Sequence, residues 1–302
     1  MRLVTFSEGD GPHKIGAMVG EDGIVDVVRA AQQMHVTLPF GGGDMIDLMA
    51  AGRQATDVIA AILAKTSAPH HALGAVVLHA PIPRPRKNIF CVGWNYLEHF
   101  EEGAKTRTTA VELPSHPAFF TKAPTCANGP YADVTTHEGL TQKLDWEAEL
   151  ALVIGRKGKS ISEAQAMDFV FGYMVANDVT GREIQRQHGQ QWFKGKSLDG
   201  HCPMGPWLTT ADAVVAPDNL AIACRVDGVV KQNSNTRFMY FNIPRIIAEL
   251  SAGLTLEPGD IVLTGTPAGV GHARTPPEFM SPGNVLETEI EGLGRLRNVV
   301  KF

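Results

Sequence analysis

A β-rich α+β fold is predicted by three features of the sequence. Short apolar runs bounded by Gly, Pro, Asn or Asp recur along the chain, most densely after residue 117, and runs of that kind form strands. Segments with apolar residues at helical spacing are fewer and separate. A proline-rich stretch, PIPRPRK at 81–87, divides the chain into a small N-terminal unit (1–80) and a larger remainder (88–302), because proline fixes φ and keeps its neighbours out of helix. The 302 residues suffice for one large domain or two smaller ones.

In the N-terminal unit, RLVTF, IGAMVG and IVDVV read as strands, and MIDLMAAGRQATDVIAAILAK (45–65) reads as helical. The unit is rich in Ala and poor in catalytic groups, so a structural role is expected. After the connector, NIFCVG is a strand and WNYLEHFEE a helical turn or mobile segment, and 104–116 is polar loop. PAFFTKAP, EAELALVIG, FVFGYMVANDV, AIACRVDGVV and GDIVLTGTP fit strands; EAQAMDFV, GREIQRQH and IPRIIAELSAG fit helices, the last closed by Gly253. There is no internal repeat or heptad pattern.

Composition narrows the function. Hydrophobic residues make up 44% and charged residues 20%, with a formal net charge of −5 and no basic run. That argues against a nucleic-acid surface, which needs many phosphate contacts. No stretch of about 18 apolar residues offers a membrane span. The N-terminus lacks the apolar core of a signal peptide, so a cytoplasmic protein is expected. Cys91, Cys126, Cys202 and Cys224 are scattered, which disfavours a zinc ribbon or a disulfide framework.

LDWEAELALVIG (144–155) raises the chemical question. Alternation along a strand sends Glu147 and Glu149 to one face, and burying like charges together without a partner costs several kcal/mol, on the order of 3–5. Asp178 ends another apolar strand. Two compensations are open on spacing alone: a hard divalent cation, which carboxylate oxygens suit, or Arg and Lys at a strand edge. Asp178 could equally cap the helix that follows. No His or Cys accompanies the set at zinc spacing. His99 and Glu102, three apart, share a helical face. They form either an exposed pair or a general base, since a carboxylate that orients an imidazole raises its basicity. Lys122 and Lys196 are flanked by apolar residues or glycine, and are either surface lysines or groups that stabilise an enolate. GTPAGVG (265–271) lacks both phosphate-loop patterns. It suits a glycine turn that offers N–H groups and the Thr266 hydroxyl to a small anion.

Taken in order, VGWNYLEHFEE, FFTKAP, LDWEAELALVIG, ANDVTGREIQ, WFKGKSLDGHCPMGP and PGDIVLTGTPAGVG resemble the fumarylacetoacetate hydrolase family, from about Asn88 to the C-terminus. The resemblance implies a mixed β-sandwich roll with a smaller N-terminal domain, and a homodimer. It implies a Mg²⁺ site (Mn²⁺ or Ca²⁺ being possible) at Glu147, Glu149 and Asp178, and a His99–Glu102 dyad on a segment that closes as a lid. It also implies catalysis by Lys196 and substrate contacts from Lys122, Arg182, Gln185, Gly265 and Thr266. Trp94 stands where many smaller members carry Arg, which leaves the shape and charge of the substrate open; Phe100 and Trp192 are further candidates to shape that pocket.

The activity expected from this set is metal-dependent hydrolysis of a C–C bond in a β-diketo 2-oxo acid, such as an acylpyruvate or fumarylpyruvate. His99 would activate water, and charge on the enolate would be stabilised by the cation and Lys196. The alternatives are isomerisation or decarboxylation of a 2-oxo acid at the same site, and a catalytically silent protein that binds metal and carboxylate.

Overall fold

The computed structural model describes residues 1–104, 112–137, 139–189 and 191–302. Positions 105–111 of the expected 104–116 loop lie outside the described residues. The fold is α+β and rich in strands. A twelve-stranded mixed sheet faces a five-stranded one. Among the described residues, no helix is long and apolar enough to cross a membrane.

The centre of the large sheet consists of Arg2–Ser7, Cys202–Thr210, Val170–Asn177, Ala148–Ile154, Ile261–Leu263 and Ile89–Gly93, in that spatial order. Ala148–Ile154 is buried along its whole length, and its two faces serve two cores. Leu150, Leu152 and Ile154 pack into the sandwich with Ile222, Cys224, Leu286 and Leu296 of the smaller sheet. Ala151 and Val153 face the other way, onto Met45, Ile46, Leu48 and Met49. A strand covered on both faces needs apolar residues at every position, so LALVI shows no alternation. Glu147 and Glu149 share the parity of Ala151 and Val153, and therefore point away from the sandwich interior.

The N-terminal strands extend this sheet directly. Arg2 and Leu3 pair antiparallel with Thr209 and Leu208. The sheet thus runs on across the connector, with strands from both sides of it hydrogen-bonded to each other.

Several elements differ from the sequence reading for local reasons. IVDVV splits at Asp26, whose side chain accepts from Arg29 N and caps the helix Val27–Gln33. The helical stretch 45–65 is two helices, Met45–Ala51 and Arg53–Lys65, broken at Gly52 with φ +61°. AIACRVDGVV is a hairpin: Ala221–Val226 and Val229–Asn235 are joined by Asp227 and Gly228, both at positive φ, the conformation that a two-residue Asp-Gly turn requires. EAQAMDFV forms a 3₁₀ helix, Glu163–Phe169. The central strand Cys202–Thr210 has no counterpart in the sequence reading, because Pro203, Gly205 and Pro206 resemble strand breakers. The helix Ile243–Ser251 forms where expected, with Asn242 accepting from Arg245 N as its cap.

Candidate active site

The register of two central strands brings the acidic residues together. Glu149 pairs with Ala176 and Ala148 with Asn177, so Asp178, one residue past its strand, lies opposite Glu147. The Asp178 N–H donates to Glu147 O at 2.8 Å. Asn177 Oδ1 accepts from Glu147 N at 3.0 Å, and its amide donates to Thr288 Oγ1 at 3.0 Å. One carboxylate oxygen each from Glu147, Glu149 and Asp178 lie within 4.8 Å of one another, and all three residues are buried.

Basic groups surround this cluster. Lys196 Nζ lies 2.5 Å from Glu147 Oε2 and 2.7 Å from Asp178 Oδ2. Lys122 Nζ lies 2.6 Å from Asp178 Oδ1 and donates to Val179 O at 3.3 Å. Arg182 Nη2 is 2.7 Å from Glu147 Oε1, close enough for an ion pair but not aligned as a hydrogen bond. Burial pushes the Glu147 carboxyl up, yet Lys196 and Arg182 outweigh it and hold it down at about 2. Glu149 goes the other way: burial first, then the charges of Asp178 and Glu147, push it well above the usual carboxylate range. It makes no ion pair with a described residue, and its Oε2 accepts the Gly265 N–H at 2.6 Å.

Both compensations left open by the sequence are therefore relevant. Lys and Arg pair with Glu147 and Asp178, but the balance is incomplete. Among the described residues, four buried carboxylates, counting Asp145, face three buried cations, and Glu149 carries the excess. An all-oxygen donor set with surplus negative charge suits a divalent cation such as Mg²⁺, Mn²⁺ or Ca²⁺, so the residues present fit one.

The dyad lies on the helix Leu97–Ala104. His99 Nδ1 and Glu102 Oε1 are 2.9 Å apart, and the carboxylate orients the ring. Glu102 Oε2 accepts the Gly269 N–H at 2.9 Å, which ties the helix to the glycine turn. His99 is 9% exposed and near enough to Glu147 to lower its proton affinity, so the dyad is no surface pair.

Other expected contacts take different places. Lys122 is 0% exposed and its ammonium is directed at Asp178, a metal-ligand candidate. The Gly265 N–H is engaged by Glu149. Thr266 Oγ1 accepts from Gln232 Nε2 at 2.8 Å, so its own proton is free to be donated elsewhere. Gln185 Oε1 accepts from Arg182 Nη1 at 3.2 Å. Trp94, at φ +55°, packs edge-on against Trp192 with 5.0 Å between ring centroids, and Trp192 meets Phe120 at 5.2 Å. These rings form an aromatic wall beside Lys196, whose Nζ lies 5.2 Å from the Phe120 ring centre.

Sequence reasoning missed Asp145 and Gln232. Asp145 shares the parity of Glu147 and Glu149 in the same run, a signal that was present. Gln232 accepts from Ala148 N at 2.9 Å and donates to Pro267 O and Thr266 Oγ1, pinning the glycine turn to the ExE strand. Nothing in its own segment marks it.

Residues 88–301 match the model for the fumarylacetoacetate (FAA) hydrolase C-terminal domain. The chain belongs to the fumarylacetoacetate hydrolase family. The matched range starts where the proline-rich connector ends. Within the family, the chain is 39% identical over 296 residues to oxaloacetate tautomerase YisK of Bacillus subtilis, covering 95% of each protein. Its fold superposes on a fumarylacetoacetate hydrolase from psychrophilic Exiguobacterium antarcticum with a TM-score of 0.81 and 36% identity, over 100% of this chain and 99% of that one. It also resembles maleylpyruvate hydrolase from Sphingobium sp. SYK-6, solved with a manganese(II) ion and pyruvate, with a TM-score of 0.76 and 29% identity over 100% and 99% of the two chains. Fumarylacetoacetate hydrolase family members thus include enzymes named for enol–keto chemistry and for hydrolysis, and one of them holds a divalent metal.

Proposed function

We propose that this protein is a metal-dependent enzyme of 2-oxo acid chemistry whose main reaction is keto–enol tautomerisation of a small oxo-dicarboxylate of the oxaloacetate type. The observation that carries this reading is the oxygen-only carboxylate cluster flanked by Lys196, together with the buried His99–Glu102 pair. It is supported by the 39% identity to an oxaloacetate tautomerase. The reading favours the isomerase alternative over hydrolysis.

Glu147, Glu149 and Asp178 would hold a Mg²⁺-type cation, which supplies Lewis-acid stabilisation of negative charge on the substrate's oxygen. The chain's own residues do the rest. Lys196, kept protonated by Asp178 and Glu147 despite burial, presents a second positive charge. His99 moves a proton between the enol oxygen and the neighbouring carbon, since an imidazole can both accept and donate near neutrality. Glu102 holds the ring at Nδ1, so Nε2 is the nitrogen left to act. Thr266 Oγ1 can donate its proton to the substrate carboxylate. The helix Leu97–Ala104, latched at Gly269, excludes bulk water.

Hydrolysis of a C–C bond is the second reading, favoured by the intact dyad, which could as readily deprotonate one trapped water, and supported by the likeness to maleylpyruvate hydrolase. The test uses metal-stripped protein with Mg²⁺ or Mn²⁺ added back. Metal-dependent loss of the oxaloacetate enol absorbance, without release of pyruvate from acetylpyruvate or fumarylpyruvate, is the expected result. Pyruvate release with the complementary acid moves the assignment to the hydrolase. No metal-dependent turnover of any of the three substrates rejects both. The family resemblance implies a homodimer, which sedimentation would check.

A further inference from the structure

Asp145 lies two residues before Glu147, is completely buried, and collects more donors than a loop anchor needs. Its Oδ1 accepts from Trp146 N at 2.8 Å and Gly271 N at 2.7 Å. Its Oδ2 accepts from His272 N at 3.0 Å and Arg182 Nε at 2.7 Å, and His272 Nδ1 lies 3.1 Å away. Gly271 permits this approach: a Cβ there would lie 2.7 Å from Asp145 Oδ1 and 2.1 Å from Glu278 O.

An Asn could accept both backbone N–H groups at Oδ1. What only a carboxylate provides is a second acceptor oxygen, which takes the His272 N–H and, with its charge, Arg182. That guanidinium is forked. Nε is held by Asp145, and Nη2 lies 2.7 Å from Glu147 Oε1. The other oxygen of Glu147 meets Lys196. Asp145 therefore fixes where Arg182 stands, and how much of its charge falls on a metal-ligand candidate.

We propose that Asp145 is a positioning residue for the metal site: acting through Arg182, it orients Glu147 and keeps that carboxylate available to a divalent cation. The proposal rests on reading Glu147 as a ligand and does not depend on which 2-oxo acid is turned over. Without the Asp145 charge, Arg182 is neutralised by Glu147 alone and the site gains one unit of positive charge; both changes weaken cation binding. Loss of such an outer partner typically costs about 10–100-fold in metal affinity.

The test is calorimetric titration of Mn²⁺ into metal-stripped wild type, Asp145→Asn, and the double variant Asp145→Asn/Arg182→Met, with thermal unfolding followed in parallel. The double variant removes both members of a buried pair, which is far milder than orphaning one. The expected result is Asp145→Asn binding Mn²⁺ roughly 10–100-fold more weakly, and the double variant returning to within about threefold of wild type. If Asp145→Asn does not fold, the double variant decides alone. Wild-type affinity in folded Asp145→Asn, equally weak binding in both variants, or a double variant that fails to fold overturns the proposal; in the last case the pair holds the fold and not the ligand. A wild-type protein that binds no Mn²⁺ overturns the metal reading itself.

Discussion

An alanine at position 195 would carry a methyl carbon 2.4 Å from Gln185 N, 2.5 Å from Gln185 Cα and 2.7 Å from Gln185 Cβ. Two of these neighbours are backbone atoms, so no side-chain rotation relieves the clash. Ordinary contact begins at 3.4 Å, so the helices Arg182–Gln187 and Phe193–Lys196 must part by about 1 Å, the difference between those distances. One of them carries Arg182 and the other ends on Lys196. Moving Lys196 that far stretches its 2.5 and 2.7 Å contacts with Glu147 and Asp178 past hydrogen-bonding range. A misplacement of about 1 Å at a reacting site costs on the order of 100-fold in rate, equivalent to about 2.7 kcal/mol of transition-state stabilisation. Overpacking should cost a further 1–3 kcal/mol or so of stability. The assay is kcat/KM for the oxaloacetate enol at saturating metal, together with urea unfolding. A Gly195→Ala enzyme within threefold of wild type, and as stable, would refute the view that this helix contact places Lys196.

Three further outcomes are expected. His99→Ala should lower kcat by roughly 10²–10⁴-fold while the protein stays folded; turnover at the wild-type rate would remove His99 from proton transfer. Lys122→Met leaves Asp178 without its 2.6 Å partner and should destabilise the fold by about 3–5 kcal/mol; an unchanged urea midpoint would argue that the pair contributes nothing. His201 is buried against Thr135, its Nε2 2.7 Å from that carbonyl, and burial pushes its pKa down to about 3. Below its ordinary value of 6.5 the unfolded chain takes up a proton that the native state refuses. Stability should therefore fall as pH drops from 6.5 towards 3, by roughly 1.4 kcal/mol per pH unit. Melting temperatures between pH 7 and 4.5 should fall more steeply for wild type than for His201→Gln, and parallel curves would contradict the assignment.

What the sequence made legible followed from local periodicity and from motif order. Ala148–Ile154 was visible as an apolar run with two glutamates at its head, and parity alone put those glutamates on one face. Asp178 joined them only through register, a property of two strands about thirty residues apart in sequence. Lys122 illustrates the opposite limit. A lysine between Thr121 and Ala123 gives no sign of being fully buried, because the carboxylate that makes burial tolerable comes from another strand. The strand Cys202–Thr210 stayed hidden behind its prolines. Pro206 falls where the register against Val170–Asn177 shifts between Tyr173 and Val175, and Pro203 sits in a two-residue parallel pairing opposite Asn128. Asp145 is legible by the same parity argument as Glu147.

Asp145, Glu147, Glu149 and Asp178, with Lys122, Arg182 and Lys196, are a poor way to stabilise a β-sandwich. Each pays a desolvation penalty, and buried ion pairs replaced by apolar residues of the same size commonly leave a protein as stable or more so. Apart from Asn177 the rest of both strands is uncharged and largely apolar, so the fold has no need of charge at this end. The ionisable groups are also pushed apart: Glu147 is held down by Lys196 and Arg182, while Glu149 is driven up by burial and by its acidic neighbours. Opposed shifts on residues two apart support the catalytic reading proposed above, since buried structural ion pairs are seldom arranged to push neighbouring carboxylates apart. The arrangement also constrains the ligand. With one surplus negative charge among the fixed groups, a divalent cation leaves the cluster net positive, and a substrate carboxylate placed beside it offsets that charge. A 2-oxo acid does so with its carboxylate, and the adjacent keto group is the one whose enol the proposed reaction by His99 would form or consume.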